Sequence, residues 1–187
     1  MRRLAVLTAG LVFLPSCAKR PSVADQAAVY RAALDTLFGP LSDTSKAIVA
    51  ARRTLDPRYV LQAIADFPTT APLLNALVRA NQADSLLFRF DSIQLRQYFL
   101  DAATADLEVP RRCIGRVACD SAWAQFHARY PGSIGYIDVS RIGFRDSSAA
   151  VLVGGSHGYL NAEMMLVLLE RRRTGWHVTR TVILGVS

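Results

Sequence analysis

The chain predicts an α+β fold in which N-terminal helices pack on a curved antiparallel sheet that ends in a four-stranded C-terminal meander. Three observations carry this reading. Residues 134–187 hold β-rich runs separated by short polar turns, residues 23–37 repeat apolar side chains at helical spacing, and residues 73–78 do so again. With 187 residues, 51% of them hydrophobic and 20% charged, the chain can build one substantial core but not two comfortable ones.

The elements follow in order. Arg2 and Arg3 precede an apolar run, Leu4 to Leu14, and then Leu14-Pro15-Ser16-Cys17. The run is too short to cross a bilayer as a mature anchor and has the layout of a signal peptide. Leu14 three positions before Cys17, and Ser16 just before it, resemble the lipobox of bacterial lipoproteins, although Pro15 stands where a small or β-branched residue is usual. That resemblance implies removal of residues 1–16, a lipid on Cys17, a tether over residues 17–22 and a globular domain over residues 23–187. The protein would then be exported from a bacterial cytoplasm and held in the cell envelope by its lipid. Ordinary secretory cleavage, giving a soluble periplasmic or secreted protein, is the alternative.

Val23, Ala27, Tyr30, Leu34 and Leu37 mark the first helix, capped by Ser22 or Asp25 and stopped by Gly39-Pro40. Lys46 to Thr54 reads as a strand ended by Asp56-Pro57. Thr69-Thr70-Ala71-Pro72 starts a second helix with Leu73, Leu74, Leu77 and Val78, ending near Asn81. Phe88 and Phe90 alternate with Arg89 and Asp91 as in a strand, and Ile93 to Leu100 either extends it, the preferred reading, or forms a short helix. Residues 101–120 read as an exposed loop. Asp120 or Ser121 then caps a helix bearing Trp123 and Phe126, closed by Tyr130-Pro131-Gly132.

The meander strands are Ile134 to Phe144, Ala149 to Gly154, Ala162 to Arg171, and Trp176 to Val186. The third is apolar on both faces, as a strand covered on each side requires. In the last, Trp176, Val178, Val182, Leu184 and Val186 share one face, interrupted by Arg180. The Gly154 to Asn161 connection is longer and richer than a hairpin needs.

The pattern Trp123, Phe126, Tyr130-Pro131-Gly132-Ser133 and Gly135, followed by Ser140-Arg141, Gly143-Phe144 and Gly175-Trp176-His177-Val178, resembles a set of uncharacterised bacterial exported proteins. The resemblance covers about the last 65 residues and implies an α+β domain with a terminal meander, not an activity. The arrangement of helices on a curved sheet is also similar, as fold alone, to NTF2-like cones.

The formal net charge of +7 falls to +5 when Arg2 and Arg3 leave with a signal peptide. The basic residues are spread from end to end, so nucleic acid is not the expected partner; a membrane reached through the lipid, and an unknown protein, glycan or small ligand, are. With Cys17 given to lipid, Cys113 and Cys119 remain as an even pair in an exported chain and predict a disulfide.

The catalytic candidates are His157, His177 and Glu163. Ser156-His157 is the best nucleophile and base neighbourhood, with Asp138, Ser140 or Glu163 across the sheet, but adjacent strand residues point to opposite faces. His157, His177 and Glu163 lack metal-ligand spacing, and no motif calls for a cofactor. Trp123 and Trp176 read as core rather than as ligand-stacking aromatics, and Ser140-Arg141 as a buried polar contact rather than an anion site. The expected function is a non-catalytic binding or structural module of the envelope. The alternative is a small hydrolase or NTF2-like enzyme with a pocket near His157.

Overall fold

A computed structural model describes residues 21–40, 47–52, 58–82, 97–100, 109–110, 113–158 and 160–186. The expected signal peptide, Cys17, and the strand expected around Phe88 and Phe90 lie outside the described residues. The elements are α1 (Val23–Phe38), β1 (Ala47–Arg52), α2 (Arg58–Asp66), a 3₁₀ turn (Pro68–Thr70), α3 (Ala71–Gln82), β2 (Gln97–Leu100), α4 (Arg116–Arg129), β3 (Ser133–Val139), β4 (Gly143–Arg145), β5 (Ser148–Gly158), β6 (Asn161–Arg172) and β7 (Gly175–Val186). None of the described helices is long and apolar enough to cross a membrane.

The fold is α+β, as the sequence predicts. One sheet runs in the order β2-β1-β3-β5-β6-β7, with β4 beside β5. From β3 onward the neighbours are antiparallel. β1 lies parallel to both β2 and β3, an extension that local pattern does not reveal because parallel neighbours are joined by long crossovers.

Helices cover both faces. On one, Val29, Tyr30, Ala33 and Leu34 of α1 pack on Val151, Val153, Val167, Leu169 and Trp176. On the other, Val60 and Ala63 of α2 and Leu73, Leu74 and Leu77 of α3 pack on Ala150, Leu152, Leu166 and Leu168. Met165 to Leu169 are accordingly buried on both sides of β6. On the second face a smaller cluster joins Trp123, Phe126 and Tyr130 to Val49, Val109 and Tyr136. The Trp123 and Phe126 rings meet edge to face, 5.2 Å apart.

Several expectations are corrected. The Ile134 to Phe144 run is two strands, because Ser140 breaks the ladder: its backbone N–H donates to the Leu152 carbonyl at 2.9 Å while its Oγ accepts from Leu152 N–H at 2.8 Å. The Tyr30 hydroxyl donates to the Ser140 carbonyl at 2.8 Å, fixing α1 to this bend. Burial pushes the Tyr30 phenol well above its ordinary range, against an opposing pull from Arg141. β7 does not keep one face throughout. Its register on β6 shifts between Leu168 and Leu169, so Trp176 and Val178 pack toward α1 whereas Val182 and Leu184 pack toward α2 and α3. Arg180, which interrupts the alternation, sits at that shift with its guanidinium 4.1 Å from the Phe67 ring centroid.

The segment expected as exposed loop up to residue 120 is partly helix. α4 begins at Arg116 behind Gly115, whose φ of 83° suits glycine, and neither Asp120 nor Ser121 caps it. The Cys113–Cys119 disulfide is present, and Cys119 is fully buried. α2 has no counterpart in the expected elements, although Val60 and Ala63 recur at helical spacing.

At the far end of α1, Ser22 accepts from Asp25 N–H at 3.0 Å and donates to its carboxylate at 2.9 Å. Arg171 lies 3.1 Å from the same carboxylate. The Ser22 hydroxyl most of all, then Arg171, hold Asp25 below the ordinary carboxylate value, with burial opposing them. The buried Trp176 Nε1 makes no hydrogen bond of good geometry, yet its N–H dipole reaches Asp25.

Candidate functional site

A cleft of about 440 Å³ opens at the end of the sheet where β5 turns into β6. Its floor follows from residue size. On the α2/α3 face, β5 and β6 carry Leu152, Leu166 and Leu168 near mid-strand, but the same face ends in Gly154 and Ser156 on β5 and Ala162 on β6. Gly185 continues this strip on β7, and a Cβ built on it would meet nothing within 4 Å. Gly154, Ser156, Ala162 and Gly185 thus present small side chains to the cleft on adjacent strands, with the Met164 side chain lying over Gly154.

The opposite wall is the Cys113–Cys119 disulfide with Pro110 and Trp123. The bridge joins the segment before α4 to its first turn, with Cα atoms 5.1 Å apart. It thus fixes that segment to the helix that follows it.

Asp138 supplies the buried charge of the cleft. It is 9% exposed, and Tyr136, itself 1% exposed, donates its hydroxyl to Asp138 Oδ1 at 2.7 Å. Alternation along β3 puts both on the cleft face, opposite Ser156 and Gly154 in the β3–β5 register. A Cβ on Gly154 would lie 3.6 Å from the Asp138 Cβ and 3.2 Å from the Met164 Cε, so a side chain there would crowd the floor.

The mouth is apolar. Leu160 and Val186 both line it and are 69% and 72% exposed. Leu160 has φ 51°, the left-handed region, which costs a leucine about 1 kcal/mol relative to the right-handed one. Its position follows from the Gly158–Asn161 pairing, which closes β5 and β6 with a two-residue turn. The expected long connection from Gly154 to Asn161 is thus mostly strand.

No known protein family, curated protein or solved structure matches the chain. The functional reading rests on the geometry.

The three catalytic candidates do not converge. Glu163 pairs with Gly155 and Val186, whereas His177 pairs with Glu170, seven residues and about 23 Å farther along β6. His177 Nε2 instead meets Thr174 Oγ1 at 2.7 Å. His157 is exposed and stands beside Gly135, where an added Cβ would come within 2.7 Å of its own Cβ. That is the α1 face, opposite Ser156, so Ser156-His157 forms no dyad. Glu163 borders the cleft, but its register with Gly155 and two residues from Met165 sets its side chain toward the α1 face. His127 bonds Ser133 at 3.0 Å and lies by the Trp123 ring. Among the described residues, no group of three or more His, Cys, Asp or Glu could hold a metal ion.

Ser140 and Arg141 form a buried polar contact. Besides bonding Leu152, Ser140 Oγ donates to the Arg141 carbonyl at 2.8 Å. Of the motif residues that carry the sequence resemblance, Phe144, Trp176 and Val178 pack in the core under α1. Sequence reasoning missed Tyr136, Leu160, Met164 and Gly185 as cleft residues, and preferred core to ligand stacking for Trp123, which is buried and also lines the cleft.

Proposed function

We propose that this is an exported, lipid-anchored envelope protein that binds a small ligand in the cleft without transforming it. The observation that carries the binding reading is a buried carboxylate, Asp138, on the floor of a walled cleft of about 440 Å³, within the usual size range of small-molecule sites. Nucleophilic catalysis needs a base within hydrogen-bond reach of the nucleophile, and none of the three histidines is among the described lining residues. This favours binding over the hydrolase or NTF2-like alternative. The N-terminal layout ending at Cys17 supports export and lipid attachment.

Two measurements test the reading. Labelling of expressing cells with a fatty-acid analogue should mark the wild type and leave Cys17→Ala unmarked; unlabelled wild type would remove the anchor. A thermal-shift panel of small molecules should yield hits on the wild type that vanish in Gly185→Phe, where the new ring has open space to enter the cleft. Hits that survive the ring, or a panel without hits, would remove the binding reading.

A further inference from the structure

Resting on the lipid anchor proposed above, we infer that the end of the domain where that anchor joins it docks on an anionic bilayer. An arginine pole meets the lipid phosphates there, and the cleft opens away from the membrane.

The first observation is where the tether ends. The expected tether, residues 17–22, runs straight into α1, and Asp25 in the first turn of α1 lies 3.1 Å from Arg171 near the end of β6. At its other end α1 brings Phe38 to Gly155, where an added Cβ would lie 3.7 Å from the ring. The helix thus runs from the β6–β7 turn toward the cleft.

The second is the charge at this end. Arg171 and Arg172 close β6, Arg173 follows in the turn, and the neighbouring β4–β5 turn carries Arg145. Arg171 N–H donates to the Ser147 carbonyl at 2.7 Å and so joins the two turns. Three carboxylates accompany the arginines. Asp25 lies inside Arg171, its side chain 23% exposed against 58%; Asp146 meets Arg145 at 3.8 Å; Glu170 stands opposite His177. Arg172 and Arg173 are exposed at the tip, where no described residue makes an ion pair with them. Gly175, with φ 124°, supplies the backbone that the turn requires, so its geometry asks nothing of the arginines. Lys19 and Arg20 add positive charge in the tether sequence itself.

The third is distance. The turn at the cleft mouth, Gly158–Asn161, is at the opposite end of β6, about 36 Å from Arg172. The tether spans about 20 Å at full stretch, and salt at physiological strength screens charges beyond about 8 Å. Of the two ends, the arginine end is therefore the one that the tether delivers to the lipid phosphates. Each arginine at an anionic surface favours the docked state about fivefold, so Arg172 and Arg173 together give about thirtyfold. That suffices to orient a tethered domain and is too little to recruit a free one. The ligand then enters the cleft from the aqueous side.

The test uses protein purified from the membranes of expressing cells, with a dye coupled at Ser147→Cys beside the pole or at Leu160→Cys at the mouth. It is reconstituted into vesicles of phosphatidylcholine alone, or of equal parts phosphatidylcholine and phosphatidylglycerol, whose headgroups carry a quencher. In the anionic vesicles the pole should be quenched severalfold more than the mouth, and the excess should shrink with added salt. Arg172→Ser with Arg173→Ser should lower quenching at the pole to its level on neutral vesicles, and lysine at both positions should restore it. Equal quenching at pole and mouth, or a pole excess that the serine pair leaves unchanged, overturns the docking and leaves the anchor standing. A dye response at the pole to soluble polyglutamate but not to the anionic vesicles would assign the arginines to an acidic protein and overturns it too. A wild type without fatty-acid label removes the anchor, and the docking with it.

Discussion

The side chain of Asn81 pairs with the backbone of Arg141 as one strand pairs with another: its Oδ1 accepts from Arg141 N–H at 2.9 Å and its Nδ2 donates to the Arg141 carbonyl at 3.1 Å. Nδ2 also reaches the Leu77 carbonyl at 2.8 Å, so one amide joins the end of α3 to the bend between β3 and β4. Asn81→Ala removes both of these bonds to the partly buried backbone of Arg141, whose carbonyl keeps the one from Ser140 Oγ. It should cost about 2 kcal/mol in chemical denaturation, and Asn81→Asp, which keeps the acceptor and loses the donor, should fall between it and the wild type. Equal stability of all three would show that water replaces the amide.

Close approach at the same junction gives a second expectation. A Cβ on Gly143 would lie 2.3 Å from Leu77 N and 2.4 Å from Leu77 Cα, both backbone atoms that no rotamer change can move. Gly143→Ala must therefore push β4 away from α3, at a cost of about 1–3 kcal/mol. Gly185→Ala, with nothing within 4 Å, is the control and should unfold at nearly the wild-type denaturant concentration.

The disulfide closes a short loop, its cysteines six residues apart in the sequence. Replacing both cysteines by serine should cost about 2 kcal/mol of global stability. The local effect should be larger, because Cys113 and Cys119 form a cleft wall. Amide exchange should rise in the first turn of α4 and stay unchanged in β6, and a uniform rise across the sheet would contradict this division.

Acid should act through Asp25. Its folded pKa lies below the ordinary 3.8, chiefly through the Ser22 hydroxyl and then Arg171. The associated stability is complete above the unfolded value and drains away as pH falls through the lower folded value. Ser22→Ala should flatten the acid limb of a plot of urea midpoint against pH below about pH 4, while leaving the fold intact at neutral pH. An unchanged limb would mean that other carboxylates dominate acid unfolding. The partial exposure of this pair keeps its effect small.

What was legible in the sequence was what repeats locally. The α1 stripe and the β6 run of apolar residues are contiguous patterns whose burial follows from periodicity alone, and both are covered as expected. The β7 face was misread because a bulge changes the parity of alternation without leaving a mark other than Arg180. α2 went unseen although Val60, Ala63 and Ile64 recur at helical spacing, because nine residues make little more than two turns of helix. The cleft was the least legible part. It is built from what Gly154, Ser156, Ala162 and Gly185 lack, on three strands, and each of these residues alone reads as an ordinary turn or strand position. Asp138 stood out only as a neighbour across the sheet, since its burial depends on a wall contributed by α4.

The packing of α1 against β7 sets an order of events for a chain that is delivered end first. The first helix finds its apolar seat on Val178 and Trp176, and its partner for Asp25 in Arg171, only after the final hairpin has emerged. The contact that completes the domain therefore joins its first described helix to its last strand.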